Sequence, residues 1–145
     1  MILVKDVMTP HPEIVKEGET LEVVGQLFKE RGYHHLPVLN EEDELVGVIS
    51  STDFERTIHG ATLFKIVDKA SYNETILKTM LVYNIMVKDP ISVQQDQPIE
   101  SAYDILKQGK FRCLPVLDGS ELVGIVTAQD LLDYFMVKHK ETISI

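Results

Sequence analysis

The sequence predicts a mixed α/β protein made of two halves, each with the element order β-α-β-β-α. Three observations predict it. The chain repeats itself, each copy passes through the same succession of apolar patterns, and the one slip between copies falls in a turn. Met8, Pro12, Val15, Leu36, Pro37 and Val38 recur as Met86, Pro90, Val93, Leu114, Pro115 and Val116, 78 positions on, whereas Glu44, Leu45, Val46, Gly47 and Asp53 recur 77 positions on. The missing residue lies where "NEEDE" becomes "DGSE". A surface hairpin loop tolerates such a deletion, and Asp118-Gly119 is a strong tight-turn pair.

Each copy opens on a short extended piece, "PEIV" (Pro12 to Val15) or "PISV" (Pro90 to Val93). Its proline holds the preceding residue out of the helical region. Leu21, Val24, Leu27 and Phe28, and in the second copy Ile99, Ala102, Ile105 and Leu106, then fall at helical spacing and predict one buried stripe. Gly25 costs the first of these helices roughly 1 kcal/mol relative to alanine, which points to close packing against a neighbour. Two β-branched runs follow in each copy, "LPVL" with "ELVGVIS" and "LPVL" with "ELVGIVT", and read as buried hairpins. A last helix starts near Ser51 or Ala128. Between the copies, Leu63, Ile66, Val67 and Ala70 keep helical spacing, "SYNE" (Ser71 to Glu74) interrupts it, and Ile76, Leu77, Met80 and Leu81 resume it. The boundaries are therefore a first repeat over 1–60, a helical connector over 61–79 and a second repeat over 80–145. A half of about 60 residues buries little apolar surface alone, so the two sheets are expected to pack about a pseudo-twofold axis as one domain.

Composition narrows the function. At 145 residues, 44% hydrophobic and 26% charged, the chain reads as one soluble domain. No apolar run approaches the roughly 18 residues of a membrane helix, and "MILVKDV" is too short and too soon charged for a secretion signal, so a cytoplasmic protein is expected. A formal charge of −9 argues against a broad nucleic-acid surface. The single cysteine, Cys113, fits a reducing compartment and reads as a small buried apolar residue. There is no GxxxxGK loop, dinucleotide glycine fingerprint, HExxH or GxSxG, so no catalytic residue is assigned.

The pattern "VMTPHPEIV…HHLPVL…LVGVISSTD", repeated as "IMVKDPISV…RCLPVL…LVGIVTAQD", resembles a tandem pair of CBS domains, a Bateman module, over nearly the whole chain. The resemblance implies a disc-like module that dimerises and binds adenosine-containing ligands in clefts between the repeats. The expected role is that of a regulatory sensor of AMP, ADP or ATP, the last with magnesium, acting on a partner protein or on its own homodimer. The alternatives are another adenosyl ligand, S-adenosylmethionine or NAD, or a ligand-free dimerising scaffold. No obligatory cofactor, metal, membrane or nucleic acid is implied.

Ser50 with Asp53, and Thr127 with Asp130, form a hydroxyl-x-x-carboxylate pair at each expected strand-to-helix joint. Such a pair caps a helix, and it also suits a ligand: a carboxylate accepts from ribose hydroxyls, while a hydroxyl and free N–H groups suit phosphate. Family resemblance assigns them to the ligand. Phosphate needs cations, and His34, His35 and Arg112 precede the "LPV" strands, Arg112 being the favoured phosphate arm. Adjacent strand residues face opposite ways, so at most one of each pair faces a given cleft. Cys113, at a position often basic in the family, puts equal occupancy of the two sites in doubt. Pro37 and Pro115 in those strands, with Thr9, Pro10, Ile14, Lys88 and Ser92, which the resemblance places around a base pocket, complete the candidate ligand-binding set. Val15 and Val93 are alternatives there, and Tyr33 and Phe111 are residues able to stack a base, but ordinary core packing explains all four.

Overall fold

The computed structural model describes residues 1–59 and 69–143. In chain order the elements are α1 (Val4–Val7), β1 (Thr9–Pro10), β2 (Val15–Lys16), α2 (Leu21–Arg31), β3 (His35–Leu39), β4 (Leu45–Ser50), α3 (Ser51–Ile58) and α4 (Lys69–Thr79). They continue with α5 (Val82–Ile85), β5 (Val87–Lys88), β6 (Val93–Gln94), α6 (Ile99–Leu106), β7 (Cys113–Asp118), β8 (Glu121–Thr127) and α7 (Ala128–Ile143). Two compact units result, Glu13–Pro90 and Met1–Pro12 with Ile91–Ile145. Each runs β-α-β-β-α, as the patterning predicts.

In the Glu13–Pro90 unit the sheet order is β2-β3-β4-β5. Strands β2 and β3 are parallel, whereas β3 with β4 and β4 with β5 are antiparallel. Leu36, Val38 and Ile49 put one face of this sheet on Leu21 and Val24 of α2, all five fully buried. Burial on that scale contributes roughly 1.5 to 3 kcal/mol per side chain. Leu27 and Phe28 pack on the edge of the same core, completing the helical stripe. The helix holds Gly25 because a β-carbon there would come within 2.8 Å of Cζ of Phe54, the buried ring of α3. Gly32, left-handed with φ 69°, then ends it.

The other unit repeats the plan with sheet order β6-β7-β8-β1. Val93, Leu114, Val116 and Val126 face Ile99, Ala102 and Leu106 of α6, with Ile105 packed beside them. In the turn between β7 and β8, Gly119 takes φ 65°. The longer first hairpin closes instead on Asn40, whose side-chain oxygen accepts from the N–H groups of Glu42 at 3.0 Å and Glu44 at 2.9 Å.

The outer strands are exchanged. β1, from the start of the first repeat, pairs with β8 of the second, and β5, from the start of the second, pairs with β4 of the first. Both contacts are tight. A β-carbon on Gly124 would lie 2.6 Å from Met8 Sδ and 2.9 Å from the Thr9 carbonyl; on Gly47 it would lie 2.6 Å from Met86 Sδ and 2.9 Å from the Val87 carbonyl. Recurrence of glycine at both positions thus follows from the same close approach of an exchanged-strand carbonyl, Thr9 in one unit and Val87 in the other. Each exchanged strand ends at a left-handed residue before proline, His11 (φ 51°) and Asp89 (φ 49°), a strained place for a non-glycine residue. The strain is held by strand hydrogen bonds from His11 N–H to Val123 and from Asp89 N–H to Val46, both 3.2 Å.

The connector needs one correction. "SYNE" does not interrupt: α4 runs from Lys69 through Thr79 without a break. Ser, Tyr and Asn each cost only a fraction of a kcal/mol in a helix, neither glycine nor proline occurs, and the Glu74–Lys78 pair at 2.7 Å supports the turn that follows. Ile76, Leu77 and Met80 pack on the core of the Glu13–Pro90 unit. Leu63, Ile66 and Val67 lie outside the described residues.

Candidate functional site

In the unit holding α7, the row Thr9, Ile125, Pro115 crosses β1, β8 and β7 in register. Thr127 and Cys113 pair two residues further along. Alternation sets all five side chains on one face of the sheet, opposite the α6 core. β8 then runs directly into α7, and Asp130 in its first turn closes this face. Thr127 N–H donates to Asp130 Oδ2 at 2.9 Å, Thr127 Oγ1 donates to the same oxygen at 3.1 Å, and Asp130 N–H donates back to Thr127 Oγ1 at 3.3 Å. This is a reciprocal cap. On the other carboxylate oxygen, Thr9 Oγ1 donates to Asp130 Oδ1 at 3.0 Å.

The Glu13–Pro90 unit builds the same face from Val87, Val48 and Pro37 in one row and Ser50 and His35 in the next. Ser50 is the N-cap of α3, its Oγ accepting from Asp53 N–H at 3.1 Å. The cap is one-sided, since no described N–H or hydroxyl hydrogen-bonds the Asp53 carboxylate. Its neighbour is Arg56 of the same helix, at 3.6 Å and with 74% of its side chain exposed, a surface pairing of small energetic weight. Where Thr9 reaches Asp130, the equivalent residue of the exchanged strand is Val87.

The structure thus gathers Thr9, Pro115, Thr127 and Asp130 on one face, and His35, Pro37, Ser50 and Asp53 on the other unit's corresponding face. Ser92 and Ile14 immediately precede β6 and β2, the parallel edge strands of the two sheets. Pro10 and Lys88 alternate away from Thr9 and Val87, and Lys88 Nζ sits 4.0 Å from the centre of the Tyr83 ring. His34 and Arg112, both exposed, stand one residue before β3 and β7, outside the strand register that sets this face. The side chain that shares the face with Asp130 is therefore Cys113. Val15 and Val93 face the cores, and Tyr33 and Phe111 pack against them.

Burial first, and the Asp130 carboxylate second, push the Cys113 thiol up to about 12. At neutral pH it is an uncharged, inert filler. The part of Thr9 as a donor to Asp130 was not legible: the two lie 121 positions apart, and no spacing rule links them. Among the described residues no group of three or more His, Cys, Asp and Glu is arranged to hold a metal ion, and no helix is long and apolar enough to cross a membrane.

The family model for the CBS domain matches residues 4–60 and 82–137. The chain belongs to the CBS domain family. A homoserine O-acetyltransferase of Methanococcoides burtonii is 29% identical over 129 residues, covering 88% of this chain and 23% of that protein. The uncharacterized protein MJ1426 of Methanocaldococcus jannaschii is 29% identical over 92% of this chain and 90% of its own length. The crystal structure of CBSX2 in complex with AMP superposes with a TM-score of 0.76 at 27% identity, covering 96% of this chain and 99% of that one. The chain therefore spans about a quarter of the acetyltransferase it matches and nearly all of the CBS-pair protein.

Proposed function

We propose that this CBS pair is a regulatory module that binds an adenine nucleotide at its two hydroxyl-carboxylate joints. The observation that carries the reading is the repetition of the joint itself: Ser50 with Asp53 and Thr127 with Asp130 each stand where a strand enters a helix, with the first-turn N–H groups beside a carboxylate. A carboxylate takes the hydroxyls of a ribose, and the helix start with its hydroxyl takes phosphate oxygens. The AMP carried by the CBSX2 structure supports the ligand class. AMP, ADP or magnesium-bound ATP fits best at Asp53, beside which His35 shares the sheet face. At Asp130 the uncharged Cys113 favours a second reading, an adenosyl ligand that does not lean on phosphate, such as S-adenosylmethionine. Binding acts by shifting a packing equilibrium that a partner protein or the module's own homodimer reads, since a ligand moves only states for which its affinity differs. A dimer is supported by the apolar face of α7, where Leu132 and Phe135 stand exposed beside Tyr103 of α6 around a groove of about 490 Å³.

Thermal melting with AMP, ADP, ATP with magnesium, S-adenosylmethionine and NAD tests the reading, repeated on Asp53→Ala and Asp130→Ala. A ligand at 100 times its Kd adds about 2.7 kcal/mol, a rise on the order of 5 to 10 °C for a domain of this size. If no ligand moves the melt, the nucleotide reading fails and the ligand-free scaffold gains most. A shift that survives both substitutions removes the carboxylates from the site.

A further inference from the structure

We infer that the two carboxylate joints are unequal ligand sites, Asp53 open and Asp130 held shut by Thr9, so that nucleotide fills the Asp53 site first. This rests on the functional reading above and adds to it an order of filling and the residue that sets it.

The argument is one of acceptor capacity. An ionised carboxylate offers about four lone-pair positions on its two oxygens. At Asp130 three are occupied, by the Thr127 N–H and hydroxyl on Oδ2 and by the Thr9 hydroxyl on Oδ1. A ribose presenting two neighbouring hydroxyls needs two positions, so it must displace a donor. The Thr127 N–H belongs to the helix cap and would be left without a partner at the joint. The Thr127 hydroxyl is half-buried in the same reciprocal cap, whereas Thr9 is exposed and water takes up its hydroxyl, so Thr9 is the donor that leaves. Binding at Asp130 therefore begins by breaking the Thr9 hydrogen bond.

Among the described residues no hydroxyl makes such a bond at Asp53. Val87 holds the register position of Thr9, pairing with Val48 as Thr9 pairs with Ile125, and a valine donates nothing. The Ser50 N–H is not on the carboxylate either, leaving Arg56 at 3.6 Å as its neighbour. Its charged neighbour among the described residues is the exposed Arg56 on Oδ1, a surface pairing that a ribose displaces at little cost. The exchanged strand thus decides the state of each joint, Thr9 in β1 closing one and Val87 in β5 leaving the other open.

Calorimetric titration with AMP of the full chain and of Asp53→Asn, Asp130→Asn, Thr9→Val, Thr9→Ser and Val87→Thr tests this, with a melting curve for each variant as the folding control. The expected wild type has one tighter and one weaker site, the tighter lost in Asp53→Asn and the weaker lost in Asp130→Asn. Thr9→Val tightens the Asp130 site about 5-fold, in keeping with one hydrogen bond no longer broken, and Thr9→Ser does not. Val87→Thr weakens the Asp53 site. Two equal sites, or a Thr9→Val variant that binds AMP unchanged or more weakly at Asp130, overturns the inference and leaves the functional reading standing. A wild type and variants that bind no AMP overturn both.

Discussion

Replacing Gly124 by alanine tests whether the exchanged strand is held by close backbone approach. The new β-carbon would lie 2.6 Å from Met8 Sδ, 3.1 Å from Met8 Cγ and 2.9 Å from the Thr9 carbonyl oxygen. The methionine side chain can turn aside. The carbonyl cannot, because it belongs to β1, whose Thr9 and Pro10 pair with Ile125 and Gly124. Relief requires β1 to move off β8, and overpacking of this kind costs about 1 to 3 kcal/mol. At roughly 2 to 4 °C per kcal/mol for a chain of this size, the melting temperature falls by about 2 to 12 °C. Gly18→Ala is the control, since a β-carbon there meets nothing within 4 Å and the backbone is not left-handed. Amide exchange locates the effect. His11 N–H, bonded to Val123 at 3.2 Å, should lose protection in Gly124→Ala, while Asp89 N–H, bonded to Val46 at 3.2 Å, keeps it; in Gly47→Ala the two change places. A Gly124→Ala protein that melts with the wild type, or that exposes both amides alike, refutes the reasoning.

Cys113 gives a pH signature. Its thiol holds its proton to about 12 in the fold against an ordinary 9.0, so the stability it contributes is complete below pH 9 and is lost as pH rises toward 12. By pH 11 the loss is about 2 to 3 kcal/mol, and melting curves of the wild type should fall more steeply between pH 9 and 11 than those of Cys113→Ala; equal slopes would place the thiol in water. The apolar face of α7 makes a second prediction. Leu132 is 56% exposed and Phe135 50%, so Leu132→Glu should leave the melting temperature of the fold nearly unchanged while halving the mass seen by light scattering. A wild type already monomeric, or a variant still dimeric, removes that face from the assembly.

What could be read from the sequence follows the range of the interaction that decides it. The stripes of α2 and α6 and the paired runs of β3-β4 and β7-β8 are written in local periodicity, and burial of Leu21, Val24, Ile99 and Ala102 follows from it. The caps at Ser50 and Thr127 were equally legible, because hydroxyl and acid stand three residues apart. "SYNE" misled because polar residues weaken a helical pattern without breaking a helix, which takes glycine or proline. The strand exchange had no local signature, since β1 and β5 are two residues long and carry no alternation.

That last difficulty bears directly on function. Duplication copied the sheet, the core and the joint closely enough that Ser50-x-x-Asp53 and Thr127-x-x-Asp130 look interchangeable, and a reading along the chain treats them so. Their environments come from elsewhere in the sequence, through strands too short to leave a pattern. Thr9 against Val87 and Cys113 against His35 are single differences, each opposite a joint, and each changes what surrounds its carboxylate. Two copies of one module can therefore diverge in affinity without any change in the motif that defines them, through substitutions in an exchanged strand and in the strand that follows the first helix. The cores stay undisturbed, because those residues lie on the sheet face away from α2 and α6.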